Sequence, residues 1–287
     1  MTALSRHDGS QAGVGDRRRM PWLVTIVVAA VTLLLMLPGS AQAAPPADDS
    51  AKPTIVLVHG AFASPSSWDR VVEDLEKDGY ETVAPALDLT SISGDTMIVR
   101  AALDATPGDK ILVGHSYGGV VVSNAAFGRT DVRGLVYTAA YVPDEGDSIG
   151  SLSEGFVPPA FLAPPFPPGH LLFVPFPFAI IDPVFFRDDF AQDLNPKLAA
   201  SMAAAQHPVN LDILVSPSGP VGWHTLRSWY AVSAADRIID PELQRVMAQR
   251  AGSTVVEFDD ASHAGGFTHY ATRFVKLIEE AAAATAS

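Results

Sequence analysis

The sequence predicts an α/β fold: a mostly parallel central sheet, helices on both faces, and an insertion that caps one edge. Three observations carry this expectation. Apolar, β-branched runs without polar alternation, such as Thr54–Val58 and Gly134–Thr138, have the composition of strands covered on both faces. Segments of helical periodicity alternate with them, as successive strand–helix–strand units require. Between Phe156 and Phe190 the rhythm then fails, in a stretch that holds nine of the chain's fourteen phenylalanines.

Taken in order, Thr54–Val58 is the first strand, and it exits into His59-Gly60-Ala61-Phe62. Ser64 and Pro65 make a helix cap and first-turn pair, after which Trp68, Val71, Val72 and Leu75 recur at helical spacing as far as Gly79. A short strand, Thr82–Ala84, and a proline-containing loop precede a helix expected from Asp95 to Ala105. Ile111–Gly114 reads as a buried strand and Val120–Ala126 as a helix; Gly134–Thr138 is the next strand. Nine of the chain's 23 prolines then fall between Pro158 and Pro183. Proline removes a ladder donor and fixes φ, so this segment is not expected to continue the sheet. A helical piece is expected around Asn195–Gln206, where Leu198, Met202 and Ala205 share a face. Residues 148–226 are therefore read as an insertion over the carboxyl edge of the sheet, its phenylalanines serving its own packing and a lid alike. Ser228–Val232 is a strand, and Pro241–Arg250 a helix with Leu243, Val246 and Met247 inward, ended by Gly252. Thr254–Phe258 is the last strand and Phe267–Ala282 a closing amphipathic helix.

Chemistry gathers at the strand exits, where an open parallel sheet binds its ligands. The third strand runs into Gly114-His115-Ser116-Tyr117-Gly118, a G-x-S-x-G pentapeptide between strand and helix. A turn sharp enough to lift a nucleophile out of the chain strains the central residue and leaves no room for side chains two positions away, hence glycine at 114 and 118. It also sets Ser116 at a helix N-terminus, which stabilises developing negative charge. A serine hydroxyl needs a base, and the base needs a carboxylate to fix its tautomer. Asp236 and His263, at later strand exits, supply them. Asp240 and Asp144 compete with Asp236 for the acid's place, whereas Asp259 and Asp260 read as solvated loop carboxylates. His207, His224 and His269 have no metal-ligand spacing, no phosphate-binding glycine loop is present, and no cofactor is expected.

The HGAF segment, GHSYGG, the Asp236 loop and the SHAGG turn together resemble the α/β-hydrolase superfamily, and within it the small esterase and hydroxynitrile lyase-like branch, which shares a Trp shortly after the first strand, here Trp68. The resemblance runs from about Thr54 to Ala282, apart from the Phe/Pro-rich part of the insertion. It implies Ser116 as nucleophile, Asp236 as acid and His263 as base. It places the oxyanion hole at the backbone N–H groups of Ala61, assisted by Phe62, and of Tyr117. It also implies a supporting role for His59 and a packing role for His115. The activity it implies is hydrolysis of a small carboxylic ester with apolar groups. Two alternatives stay open: cyanohydrin cleavage, although the lysine close after the histidine in plant lyases is replaced here by Ala264-Gly265-Gly266, and a slow ligand-binding protein on the same scaffold. A haloalkane dehalogenase is disfavoured by Ser116 where a carboxylate is needed.

The 287 residues suit one large α/β domain or two small ones, and 48% hydrophobic against 18% charged residues can fill a sizeable core. The absence of cysteine excludes disulfides and thiol chemistry. Arg17-Arg18-Arg19, the apolar stretch Trp22–Leu37 and Ala41-Gln42-Ala43 are read as a secretory signal peptide over residues 1–43, a single transmembrane anchor being the alternative, with 44–52 as a linker and 53–287 as the domain. The expected location is extracellular, without stable membrane insertion once the signal is removed. Its removal takes away four arginines and two aspartates, moving the formal net charge from −13 to −15. A chain so acidic is not expected to bind nucleic acid or anionic membranes.

Overall fold

The computed structural model describes residues 52–162 and 169–286; the expected signal peptide and all but the last residue of the expected linker lie outside them. In chain order β1 (Thr54–Val58) passes through one 3₁₀ turn, Pro65–Trp68, into α1 (Asp69–Lys77). There follow β2 (Thr82–Val83), α2 (Ile92–Ala105), β3 (Lys110–His115), α3 (Gly118–Ala126) and β4 (Val132–Thr138). The insertion contributes α4 (Ile149–Leu152), β5 (Leu171–Phe173), β6 (Phe178–Ile181), α5 (Pro183–Phe190), α6 (Pro196–Ala204) and β7 (Val209–Asn210). The sheet resumes with β8 (Arg227–Ser233), α7 (Pro241–Arg250), β9 (Thr254–Phe258) and α8 (Ala271–Thr285). Among the described residues no helix is long and apolar enough to cross a membrane.

Six strands form one parallel sheet in the order β2-β1-β3-β4-β8-β9. Every residue of β1 and β3 is buried, as their unbroken apolar composition requires of strands covered on both faces. Helices cover the sheet in two groups, α1 packing with α8 and α2 with α3. The chain leaves β1 first for β2 on one side and then for β3 on the other, so the order reverses between β1 and β3. A crevice opens at their carboxyl ends. Register makes the two exits level, with Val58 opposite Gly114.

Helix starts follow local chemistry. Asp182, Asn195 and Asp240 each accept a hydrogen bond from the N–H two residues on, and each precedes a proline at the first helical position. Ser91 does the same for Gly94 N–H, so α2 begins at Ile92 rather than at Asp95. The closing helix begins at Ala271 rather than Phe267, because Thr268 and Tyr270 N–H both turn back to the Gly265 carbonyl. In α7 the inward residues are Leu243, Gln244, Met247 and Ala248, whereas Val246 is 45% exposed. Between β4 and β8 the proline-rich stretch does not extend the main sheet, but it does form strands: β5, β6 and β7 make a small antiparallel sheet of their own.

Candidate active site

Ser116 sits between β3 and α3 with φ of 55°, in the left-handed region that a non-glycine residue adopts only under constraint. The constraint is visible. Its N–H donates to the Ala139 carbonyl at 3.1 Å, and its own carbonyl accepts from Tyr141 N–H at 3.1 Å and Gly119 N–H at 3.0 Å. A Cβ on Gly114 would lie 2.8 Å from the Gly118 carbonyl oxygen, and one on Gly118 would run into the Val58 carbonyl. Both flanking glycines are thus required by close approach of backbone.

Asp236 and His263 are brought together by the ends of β8 and β9. His263 Nδ1 lies 2.8 Å from Asp236 Oδ2, and neither side chain has solvent exposure. The carboxylate is fully engaged: Oδ1 accepts from Ile238 and Ile239 N–H at 2.7 and 3.1 Å, and Oδ2 accepts from Gln244 Nε2 at 2.8 Å as well as from the imidazole. Gln244 in turn accepts from Ser233 N–H through Oε1 and donates to the Ile239 carbonyl. With Nδ1 serving the carboxylate, His263 keeps Nε2 buried and without a partner among the described residues. Ser116 Oγ and Nε2 form no hydrogen bond in this structure. The rival carboxylates are occupied elsewhere. Asp144 meets His224 Nε2 at 2.9 Å on the surface, and Asp240 caps α7 and accepts from Val157 N–H. Asp259 is exposed, and exposed Asp260 accepts from the Tyr270 hydroxyl.

The loop after β1 reaches the serine because Gly60 lets it. A Cβ there would stand 2.7 Å from Ser116 Cβ and 3.0 Å from His115 Nδ1. Phe62 takes φ of 59°. The N–H groups of Ala61, Phe62 and Tyr117 donate to no acceptor among the described residues, which leaves them free for an oxyanion. His59 supports this loop: Leu87 N–H donates to its Nε2 at 3.1 Å, which puts the proton on Nδ1, 2.9 Å from the Gly60 carbonyl. Burial, with His207 as a further cause, pushes His59 down to about 4, so it stays neutral at physiological pH. His115 is likewise held neutral by burial and by the nearby His263, and its Nε2 lies 3.1 Å from the His263 carbonyl. Tyr117 donates its hydroxyl to Asp95 Oδ2 at 2.7 Å, while Asp95 Oδ1 accepts from Asp88 and Leu89 N–H. Burial raises both groups, the phenol far above its ordinary range. Gly60→Ala is expected to lower kcat on p-nitrophenyl acetate by about a hundredfold or more, the loss reported for a single oxyanion donor, with the circular dichroism spectrum retained.

Gly60, Asp95 and Gln244 were not singled out by sequence reasoning. For Gly60 a signal existed, since it lies within HGAF; Asp95 and Gln244 carry no local signature, because each acts on a residue that only the tertiary fold brings near.

Comparison with known proteins matches this architecture. A family model described as Alpha/beta hydrolase family aligns with residues 55–277. The chain belongs to the alpha/beta hydrolase family. A curated relative in sequence is the carbendazim hydrolyzing esterase of Nocardioides sp. (strain SG-4G), 32% identical over 117 residues, or 36% of this chain and 48% of the relative. The match therefore spans about half of that relative's length. Among solved structures of hydrolases, polyneuridine aldehyde esterase superposes with a TM-score of 0.68 at 18% identity, covering 80% of this chain and 99% of the other. A pyrethroid hydrolase from Sphingobium faniae JZ-2 gives 0.64 at 23% identity, covering 82% and 98%. At these identities the structures establish the shared hydrolase fold.

Between the loop after β1 and the insertion lies a cavity of about 160 Å³. Phe62 and Ala63, with Ser64, Ser66, Ser67 and Asp69, line one side, and Phe186, Phe190, Leu198 and Met202, with Ser201 and Ala205, line the other. Its apolar part is made by Phe62 and the side chains of α5 and α6.

Proposed function

We propose that this protein is an exported serine hydrolase that cleaves carboxylic esters bearing an apolar group. The observation that carries the reading is the wholly buried Asp236–His263 pair, whose Nε2 has no partner among the described residues and whose turn is met by His115, the neighbour of Ser116 in the strained elbow. Ser116 Oγ attacks the ester carbonyl as His263 Nε2 takes its proton. Asp236 supports the resulting imidazolium, and the N–H groups of Ala61 and Tyr117, assisted by Phe62, receive the oxyanion. His263 then returns the proton to the leaving alcohol. In the second half-reaction it takes a proton from water, which attacks the acyl-enzyme, and the released acid leaves Ser116 as it began. The names of the relatives, an esterase and a pyrethroid hydrolase, agree with ester chemistry.

The phenylalanine, leucine and methionine side chains in the cavity next to Phe62 motivate the substrate preference. Hydrolysis of p-nitrophenyl esters from acetate to palmitate by residues 44–287 tests it. Hexanoate is expected to exceed acetate by at least about tenfold in kcat/KM, since one methylene in a fitted apolar pocket is worth on the order of 1 kcal/mol or more. Equal rates would remove the preference, and no turnover of any ester would remove the function. Export by residues 1–43 is checked by N-terminal sequencing of protein recovered from the medium.

A further inference from the structure

The end of α5 and the loop that follows it, residues 188–193, belong to the insertion, yet they contact both loops that hold the acid and the base. The Asp188 carbonyl accepts from Arg237 Nη1 at 2.8 Å, and Gln192 Nε2 donates to the Ala235 carbonyl at 2.6 Å, so Asp236 is gripped through the residues on either side of it. The Phe190 carbonyl accepts from Ala264 N–H at 3.1 Å, and its ring stands edge-on to His263 with centroids 4.6 Å apart. Asp193 completes the grip. A Cβ on Gly265 would run into its Oδ2, so the carboxylate lies against the turn that carries His263. Both carboxylate oxygens are buried and have no hydrogen-bond partner among the described residues.

We propose that Asp193 is a positioning residue for ester hydrolysis: its carboxylate, pressed against the 262–266 turn, keeps His263 in register with Asp236. The inference rests on the roles given above to Ser116, Asp236 and His263. A purely structural role predicts the opposite sign in stability. A buried carboxylate that no donor meets is destabilising where it stands, and neutralising it at constant shape relieves that burden. A group that destabilises the fold while touching the base's own turn is placed as functional residues are.

The test is Asp193→Asn in residues 44–287, assayed on a p-nitrophenyl ester beside the wild type and Ser116→Ala. The expected result has two parts. Tm is unchanged or raised. The value of kcat falls by about ten- to a hundredfold with KM nearly constant, because the interaction is made in the transition state. Wild-type kcat in Asp193→Asn, with Ser116→Ala inactive, would overturn this inference alone. So would a fall in Tm that accounts for the lost activity. Turnover retained by Ser116→Ala would instead overturn the site itself.

Discussion

Ser116→Ala is expected to lower kcat/KM on p-nitrophenyl esters by at least about a thousandfold, with Tm within a few degrees of the wild type. The size follows from the geometry. The elbow, the free N–H donors and the Asp236–His263 pair all remain, but the atom that would bond to the carbonyl is gone. The residual rate is then what the oxyanion hole and binding give to attack by water, so the loss is large without being complete. Stability is expected to hold because Ser116 Oγ makes no hydrogen bond in the folded protein, and alanine accepts the strained φ about as well as serine does. A fluorophosphonate probe gives an independent check: the wild type is labelled stoichiometrically and the variant is not. Labelling of both would move the nucleophile elsewhere.

Asp236→Asn is expected to be nearly as damaging to activity, and to destabilise the protein where Ser116→Ala does not. Oδ1 accepts from two backbone N–H groups and Oδ2 from Gln244 and His263, so every neighbour is a donor. An amide has one oxygen. Whichever way it is turned, its NH₂ meets two donors in a buried site, which costs about 1–3 kcal/mol. If the NH₂ faces His263, it selects the tautomer with the proton on Nε2, which removes the base from the serine; a loss of about 10⁴ in kcat is the expected order. A variant with wild-type Tm would show that the carboxylate is not engaged as described, and wild-type kcat would return the acid's place to another residue.

How far the sequence could be read depended on the range of the interactions involved. The central strands β1 and β3 were legible because burial on both faces leaves an apolar run, whereas β9, a half-exposed edge strand, shows itself by its β-branched residues; Thr54–Val58 and Thr254–Phe258 have their expected ends. The elbow was legible because its strained turn requires glycine two positions either side of Ser116, which leaves a fixed spacing in the chain even though the atom that excludes a side chain at 118 is the Val58 carbonyl of another strand. Inward positions of α7 were read less well. Hydrophobic periodicity ranks Val246 above Gln244, yet the buried side chain is the glutamine, because Asp236 supplies what a buried amide needs. The small sheet of the insertion went unread for a related reason. Proline within a run argues against a strand, but Pro175 and Pro177 lie in the link between β5 and β6, where no ladder donor is missing. Asp95 was invisible as a clamp on Tyr117 because twenty-two positions separate them.

The insertion leaves the sheet after β4 and returns at β8, and these strands are hydrogen-bonded neighbours, Gly134 opposite Arg227 and Thr138 opposite Ala231. Pairing them closes a long loop whatever its content. The entropy of such closure grows only with the logarithm of length, so doubling the insertion would cost the sheet about 0.6 kcal/mol. The barrier to exchanging one cap for another is therefore low on the side of the scaffold, and lineages or engineers can trade pockets across this junction while the nucleophile's strand stays untouched. What such an exchange must preserve is the short grip at residues 188–193. A transplanted cap lacking it would leave the loops of Asp236 and His263 to be held by the sheet's own residues alone.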